Sequence, residues 1–126
     1  MKLATLRTGF GTSAIRIDGD NVGVELDYED VGQLLRSEDW RKAAQLSGEP
    51  VVFDHADLEA VVPAPGKVIC VGLNYAKHIR EMGREFPEHP TLFIKFADAL
   101  TGPYDDVFIP EYGTQKLDYE LSLIHI

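Results

Sequence analysis

KVICVGLNYAKHIREMG, residues 67–83, is the stretch on which the reading of this chain turns. Its opening, Lys67–Gly72, is an apolar run with β-branched residues, the pattern of a buried strand. Asn74 stands where a helix N-cap belongs, because its side-chain oxygen can accept from the free backbone N–H groups of a first turn. Tyr75, Ile79 and Met82 follow at i, i+4 and i+7, one face of a short helix over Tyr75–Met82, and Gly83 supplies the stop. A strand that passes through a Gly-Leu-Asn turn into a helix brings backbone and side chains to a place that can face a cleft.

Two side chains of that helix could do chemistry. His78 and Glu81 are three residues apart and so are neighbours on its surface. A carboxylate beside an imidazole orients its tautomer and stabilises the imidazolium, which suits a general base taking a proton from water. The same pair on an exposed helix is also an ordinary solvated ion pair, and spacing alone does not choose between the two.

Downstream, Pro87 and Pro90 mark a loop, and Thr91–Phe96 reads as a strand. Residues 102–106 (GPYDD) read as a turn, and Val107–Ile109 as a strand ended by Pro110. Leu117–Ile126 begins as a half-buried strand, with Asp118 and Glu120 on one face. Gathered carboxylates repel unless a cation or proton intervenes. Oxygen ligands favour magnesium, manganese or calcium over zinc. A solvated face is the alternative reading of the same two residues.

Upstream, Pro63-Ala64-Pro65-Gly66 is a stiff connector, which places a boundary between a unit at residues 1–62 and another at 63–126. A unit of about 60 residues is near the lower limit for folding alone. It should hold strands at residues 3–7, 14–17 and 22–26, with a hairpin turn at Asp18-Gly19-Asp20-Asn21. That turn lacks the Gly and distant Glu of a calcium loop, and Gly9-Phe10-Gly11 lacks the third glycine of a phosphate loop. Residues 30–47 read as helical, with Val31, Leu34 and Leu35 at helical spacing. Ser37 is the expected cap of a second segment that presents Trp40, Ala43, Ala44 and Leu46 on one side. Val51–Phe53 and Leu58–Val62 are expected as short strands.

The composition bounds the class. The 126 residues are 44% hydrophobic and 26% charged, the balance of a soluble globular protein. A net charge of −9 argues against nucleic acid and anionic membranes as partners. Cys70, the single cysteine, excludes an intrachain disulfide and reads as a buried small hydrophobe. No apolar stretch suits a signal peptide or a membrane span, so the expected location is cytoplasmic. His55, His89 and His125 receive no role.

Four strings in order, KVICVGLNYAKHIREMG (67–83), PTLFIKF (90–96), LTGPYDDVFIP (100–110) and LDYE (117–120), resemble the fumarylacetoacetate hydrolase family. The N-terminal part, with its hairpin and Asp39-Trp40-Arg41 helix, looks like the small leading domain of bacterial members. The resemblance implies an α+β chain: a small N-terminal α/β domain followed by the start of a mixed β-fold catalytic domain. It implies a bound divalent cation, magnesium or manganese, and a small-molecule β-diketo or 2-oxo acid substrate. The reaction it implies is cleavage of a carbon–carbon bond in acylpyruvate or fumarylacetoacetate-type acids. Oxaloacetate decarboxylation and isomerisation are the alternatives. Carried over by residue, His78 would activate water, Glu81 would orient it, Lys95 would reach the substrate and Glu120 would bind the metal. A homodimer is the family's habit.

The chain departs from the family pattern at its end. The position of a second metal-binding Glu holds Ser122, whose neutral hydroxyl cannot replace a carboxylate at a hard cation. A third ligand, an Asp, would lie beyond Ile126, and Phe96 stands where Pro is common. The tail LSLIHI (121–126) diverges abruptly, so the expectation is a truncated reading frame and a chain inactive by itself, with a natural variant that has lost its metal as the alternative.

Overall fold

The computed structural model describes residues 1–111. They fall into two compact units, Met1–Gly66 with Ala97–Val107, and Lys67–Phe96 with the residues after Val107.

The first unit is built on an antiparallel sheet of β1 (Lys2–Thr8), β2 (Gly11–Ile17), β3 (Val22–Glu25) and β4 (Pro50–Val52), in that order. Alternation along β1 and β2 sends side chains to both faces, and each face gathers an apolar cluster. Ala4, Leu6 and Ile15 pack with Phe53 on one side. Ala14 packs with Leu26, Val31, Leu34 and Ala44 on the other. Thr5, paired with Ala14 across the strands, is fully buried yet satisfied. Its hydroxyl donates to the Val61 carbonyl at 2.8 Å and accepts from the Val31 N–H at 3.1 Å. A buried hydroxyl without such partners would be costly; here it pins the start of a helix to the sheet.

The expected helical stretch is two short helices, α1 (Val31–Leu35) and α2 (Trp40–Ala43). Asp30 caps α1, its side chain accepting from Gln33 N at 2.7 Å. Ser37 does not cap α2, because its own N–H still closes α1 by donating to Leu34 O at 3.0 Å. Asp39 stands at the α2 start and makes no side-chain cap bond. Trp40 is half-buried against the helix-side cluster, with the Arg41 guanidinium 4.3 Å from its ring centroid. Leu46, expected on the packed side, is exposed. The expected strand at Leu58–Val62 reduces to a bridge between Leu6 and Leu58 and one bond from Glu59 N to Thr5 O at 2.9 Å. The Val61 carbonyl is taken by a side chain, which ends any ladder there. His55–Asp57 makes a single 3₁₀ turn capped by Asp54.

The second unit is a two-stranded antiparallel ribbon, β5 (Val68–Gly72) and β6 (Thr91–Lys95), with α3 (Ala76–Glu81) between them in sequence. The N-cap of α3 is Tyr75 rather than Asn74, and it makes no side-chain cap bond. The turn is made instead by Leu73, at φ 53°. This is the left-handed region, costing about 1–2 kcal/mol for a residue with a Cβ. The helix ends as expected at Gly83, φ 64°, with Gly83 N donating to Arg80 O and Arg84 N to Ile79 O. Both bonds together form the double closure that a left-handed glycine permits.

Burial in this unit is lower than the apolar run suggests. Ile79 is buried, but Ile69 is 57% exposed and Cys70 only half-buried. Among the described residues β5 pairs on one side only, so the strand is not enclosed. Val107–Ile109 forms no strand and is exposed, since no described strand lies beside it. The strand expected at Leu117–Ile126 lies outside the described residues.

Candidate functional site

The strained turn at Leu73 releases the chain from β5 into α3, and α3 carries both candidate catalytic residues. His78 lies in the middle of the helix, exposed, one residue before the buried anchor Ile79. Among the described residues its ring makes no hydrogen bond, to Glu81 or to any other group. The Glu81 carboxylate instead lies 3.8 Å from the Lys77 ammonium, with the two side chains 60% and 90% exposed. That separation and exposure make a weak pair. The structure thus places His78 and Glu81 on one short helix without joining them.

Lys95 lies on β6, exposed, with its ammonium 5.7 Å from the Phe93 ring centroid. Register fixes its place: Lys95 faces Val68 at one end of the ribbon, and Thr91 faces Gly72 at the other, where the chain leaves for α3. At about 3.3 Å per residue, Lys95 is about 13 Å along the ribbon from that exit. No described contact links it to His78.

Among the described residues no group of three or more His, Cys, Asp or Glu side chains is placed to hold a metal ion. Asp118, Glu120 and Ser122 lie outside the described residues.

Sequence reading missed a charged cluster in the first unit. Arg7 on β1 donates from Nε to Glu59 Oε2 at 2.7 Å, and from Nη1 and Nη2 to the two Asp105 carboxylate oxygens at 2.7 and 2.5 Å. Asp105 also accepts from the Thr101 hydroxyl at 2.8 Å and from Gly102 N at 2.7 Å. These bonds, led by Arg7, hold the Asp105 carboxyl well below the usual carboxylate range. Glu59 is lowered too, first by Arg7 and then by the Ala60 N–H, while the two acids raise the Arg7 guanidinium further. The sequence signal was limited to the GPYDD turn, since Arg7 and Asp105 are 98 residues apart in the chain.

Residues 67–126 match the family model described as fumarylacetoacetate (FAA) hydrolase C-terminal. The mitochondrial oxaloacetate tautomerase FAHD2A of Bos taurus is 47% identical over 64 residues, covering 51% of this chain and 20% of that protein. The mitochondrial oxaloacetate tautomerase FAHD2B of Homo sapiens is 41% identical over 81 residues, covering 64% of this chain and 25% of that protein. The chain therefore spans only a fifth to a quarter of the length of these relatives. A crystal structure assigned as an HpcE protein from Mycobacterium smegmatis superposes with a TM-score of 0.69 at 26% identity, over 88% of this chain and 41% of that one. An uncharacterized protein from Mycobacterium abscessus superposes at 0.60 and 28% identity, over 90% and 40%. No described helix is long and apolar enough to cross a membrane.

Proposed function

Residues 67–126 belong to the fumarylacetoacetate hydrolase family, and from that premise we propose that the whole protein interconverts the ketone and enol forms of a small 2-oxo diacid, with oxaloacetate as the model substrate. The observation that carries this reading is His78, exposed and without a hydrogen-bond partner among the described residues, on α3 beside a strained strand-to-helix turn. An imidazole free of other partners can take a proton from the carbon next to the 2-oxo group and return it to oxygen. Glu81, one turn on, stabilises the imidazolium as it forms; its loose contact with Lys77 is easily given up. Lys95 provides a fixed positive charge for a substrate carboxylate. A divalent cation, magnesium or manganese, with Glu120 among its ligands, would supply Lewis-acid stabilisation of the enolate.

Identity to named oxaloacetate tautomerases over half of the chain supports this choice of substrate. The matched family description favours a second reading, hydrolysis of an acylpyruvate. There His78 would take the proton from a water that Glu81 orients as the water oxygen adds to the acyl carbonyl carbon; the carbon–carbon bond would then break, giving a carboxylic acid and the enolate of pyruvate, which takes up a proton.

The test uses residues 1–120 continued into the remainder of the Mycobacterium smegmatis relative, beside the 126-residue chain. With magnesium present, we expect the continued protein to speed decay of the oxaloacetate enol absorbance. Release of pyruvate from an acylpyruvate without that effect would select the hydrolase reading. A folded protein inactive in both assays would defeat the proposal.

A further inference from the structure

We propose that Arg7 is a positioning residue that locks the Leu-Thr-Gly-Pro-Tyr-Asp-Asp turn onto the N-terminal sheet. Residues 97–107, which in sequence lie between the candidate substrate lysine, Lys95, and the candidate metal ligand, Glu120, are thereby held to the sheet of the first unit. The turn's importance to chemistry rests on the function proposed above; the anchoring itself does not.

Residues 97–107 belong to the first unit, although the sequence pattern groups them with the strings that follow residue 67. Arg7 meets Asp105 with two parallel bonds, the geometry for which a planar guanidinium is suited and an ammonium is not. Glu59 takes the remaining Nε–H, so the fork is held from both sides. The Arg7 and Asp105 side chains are only 34% and 29% exposed, which spares the pair much of the screening a surface bridge suffers.

The turn is shaped to receive this bond. Asp105 closes its own turn through Thr101 and Gly102. Gly102 is buried, and a Cβ there would come within 2.4 Å of the Leu58 carbonyl oxygen and 3.0 Å of Arg7 Nη2. Only a residue without a side chain lets the turn seat so closely. Beside it, the Tyr104 ring stacks on His55 at 5.9 Å between centroids, and the phenol lies 3.4 Å from His55 Nδ1. His55 Nε2–H in turn donates to the Asp20 carbonyl at 2.7 Å.

Hydrogen exchange of the 126-residue chain tests the anchor. The amides of Leu100, Gly102 and Asp105 donate within the segment and are its reporters. Arg7→Ala should speed their exchange about tenfold or more while the β2–β3 amides hold their rates. Asp105→Asn should do the same, and the double variant should add little, as one shared interaction requires. If Arg7→Ala leaves too little folded chain to measure, Arg7→Lys keeps the charge without the fork and should show a smaller, still local, acceleration. Unchanged exchange at the three amides, or acceleration spread equally over the sheet, would overturn the proposal. In the active, continued protein Arg7→Ala should lower kcat more than it raises KM. Failure of oxaloacetate turnover altogether would count against the proposed function and leave the exchange result standing.

Discussion

At the scale of single residues, the polar side chain that organises the first unit gives little sign of itself in sequence. Thr5 sits in the run Leu-Ala-Thr-Leu-Arg and looks like an ordinary strand residue. Its burial follows from packing on both faces of β1, which alternation alone does not reveal. Replacing it with the isosteric valine keeps the volume but leaves Val61 O and Val31 N without their partner. Thr5→Val should cost about 1–3 kcal/mol in denaturant unfolding; a neutral result would mean that water reaches those groups. Leu73 was legible only as part of a turn, because the turn type cannot be read from Gly-Leu-Asn. Leu73→Ile puts a β-branched side chain in the same left-handed conformation and should lower stability by about 1 kcal/mol or more. The place of His78 on a short helix, by contrast, was legible from the local pattern, and the structure leaves it exposed on α3.

At the scale of elements, the four strands of the first sheet and their hairpin were readable because alternation and turn residues are local signals, whereas the strands expected at Leu58–Val62 and Val107–Ile109 did not form. Helix α3 and its glycine stop were readable for the same reason, while its cap moved one residue once Leu73 took the turn. The docking of residues 97–107 was not readable, since nothing local marks a contact with β1. That element carries two predictions. Gly102→Ala should destabilise the first unit by about 1–3 kcal/mol, because the backbone oxygen it meets cannot move aside. A thermal melt with no change would mean that the turn is not seated as described. The second concerns pH. Asp105 and Glu59 have lowered pKa values in the fold, so their contribution to stability is complete above the ordinary carboxylate range. It is lost as pH falls through the lowered values, and Arg7 stays charged throughout. Melting temperature measured from about pH 6 to about pH 2 should fall at the acid end, and Asp105→Asn should flatten that fall. An identical slope in the variant would remove Asp105 as its source.

At the scale of the whole molecule, the second unit exposes an apolar face on a two-stranded ribbon. Leu92, Ile94 and Phe96 are 61%, 68% and 74% exposed, and among the described residues the β5–β6 ribbon has no third strand. Open edges and apolar faces invite association. Sedimentation of the 126-residue chain should show mass rising with concentration, and Ile94→Lys should reduce it; a strict monomer at all concentrations would contradict this. The family was legible because its strings are contiguous, whereas the metal ligand expected at Glu120 lies outside the described residues. In the proposed reaction His78 moves the proton. The most direct test is the rate of oxaloacetate enol–ketone conversion, with magnesium, in the continued protein and its His78→Ala variant. The account expects kcat to fall about 100-fold or more with KM changed little. A variant that turns over at the parent rate would contradict it.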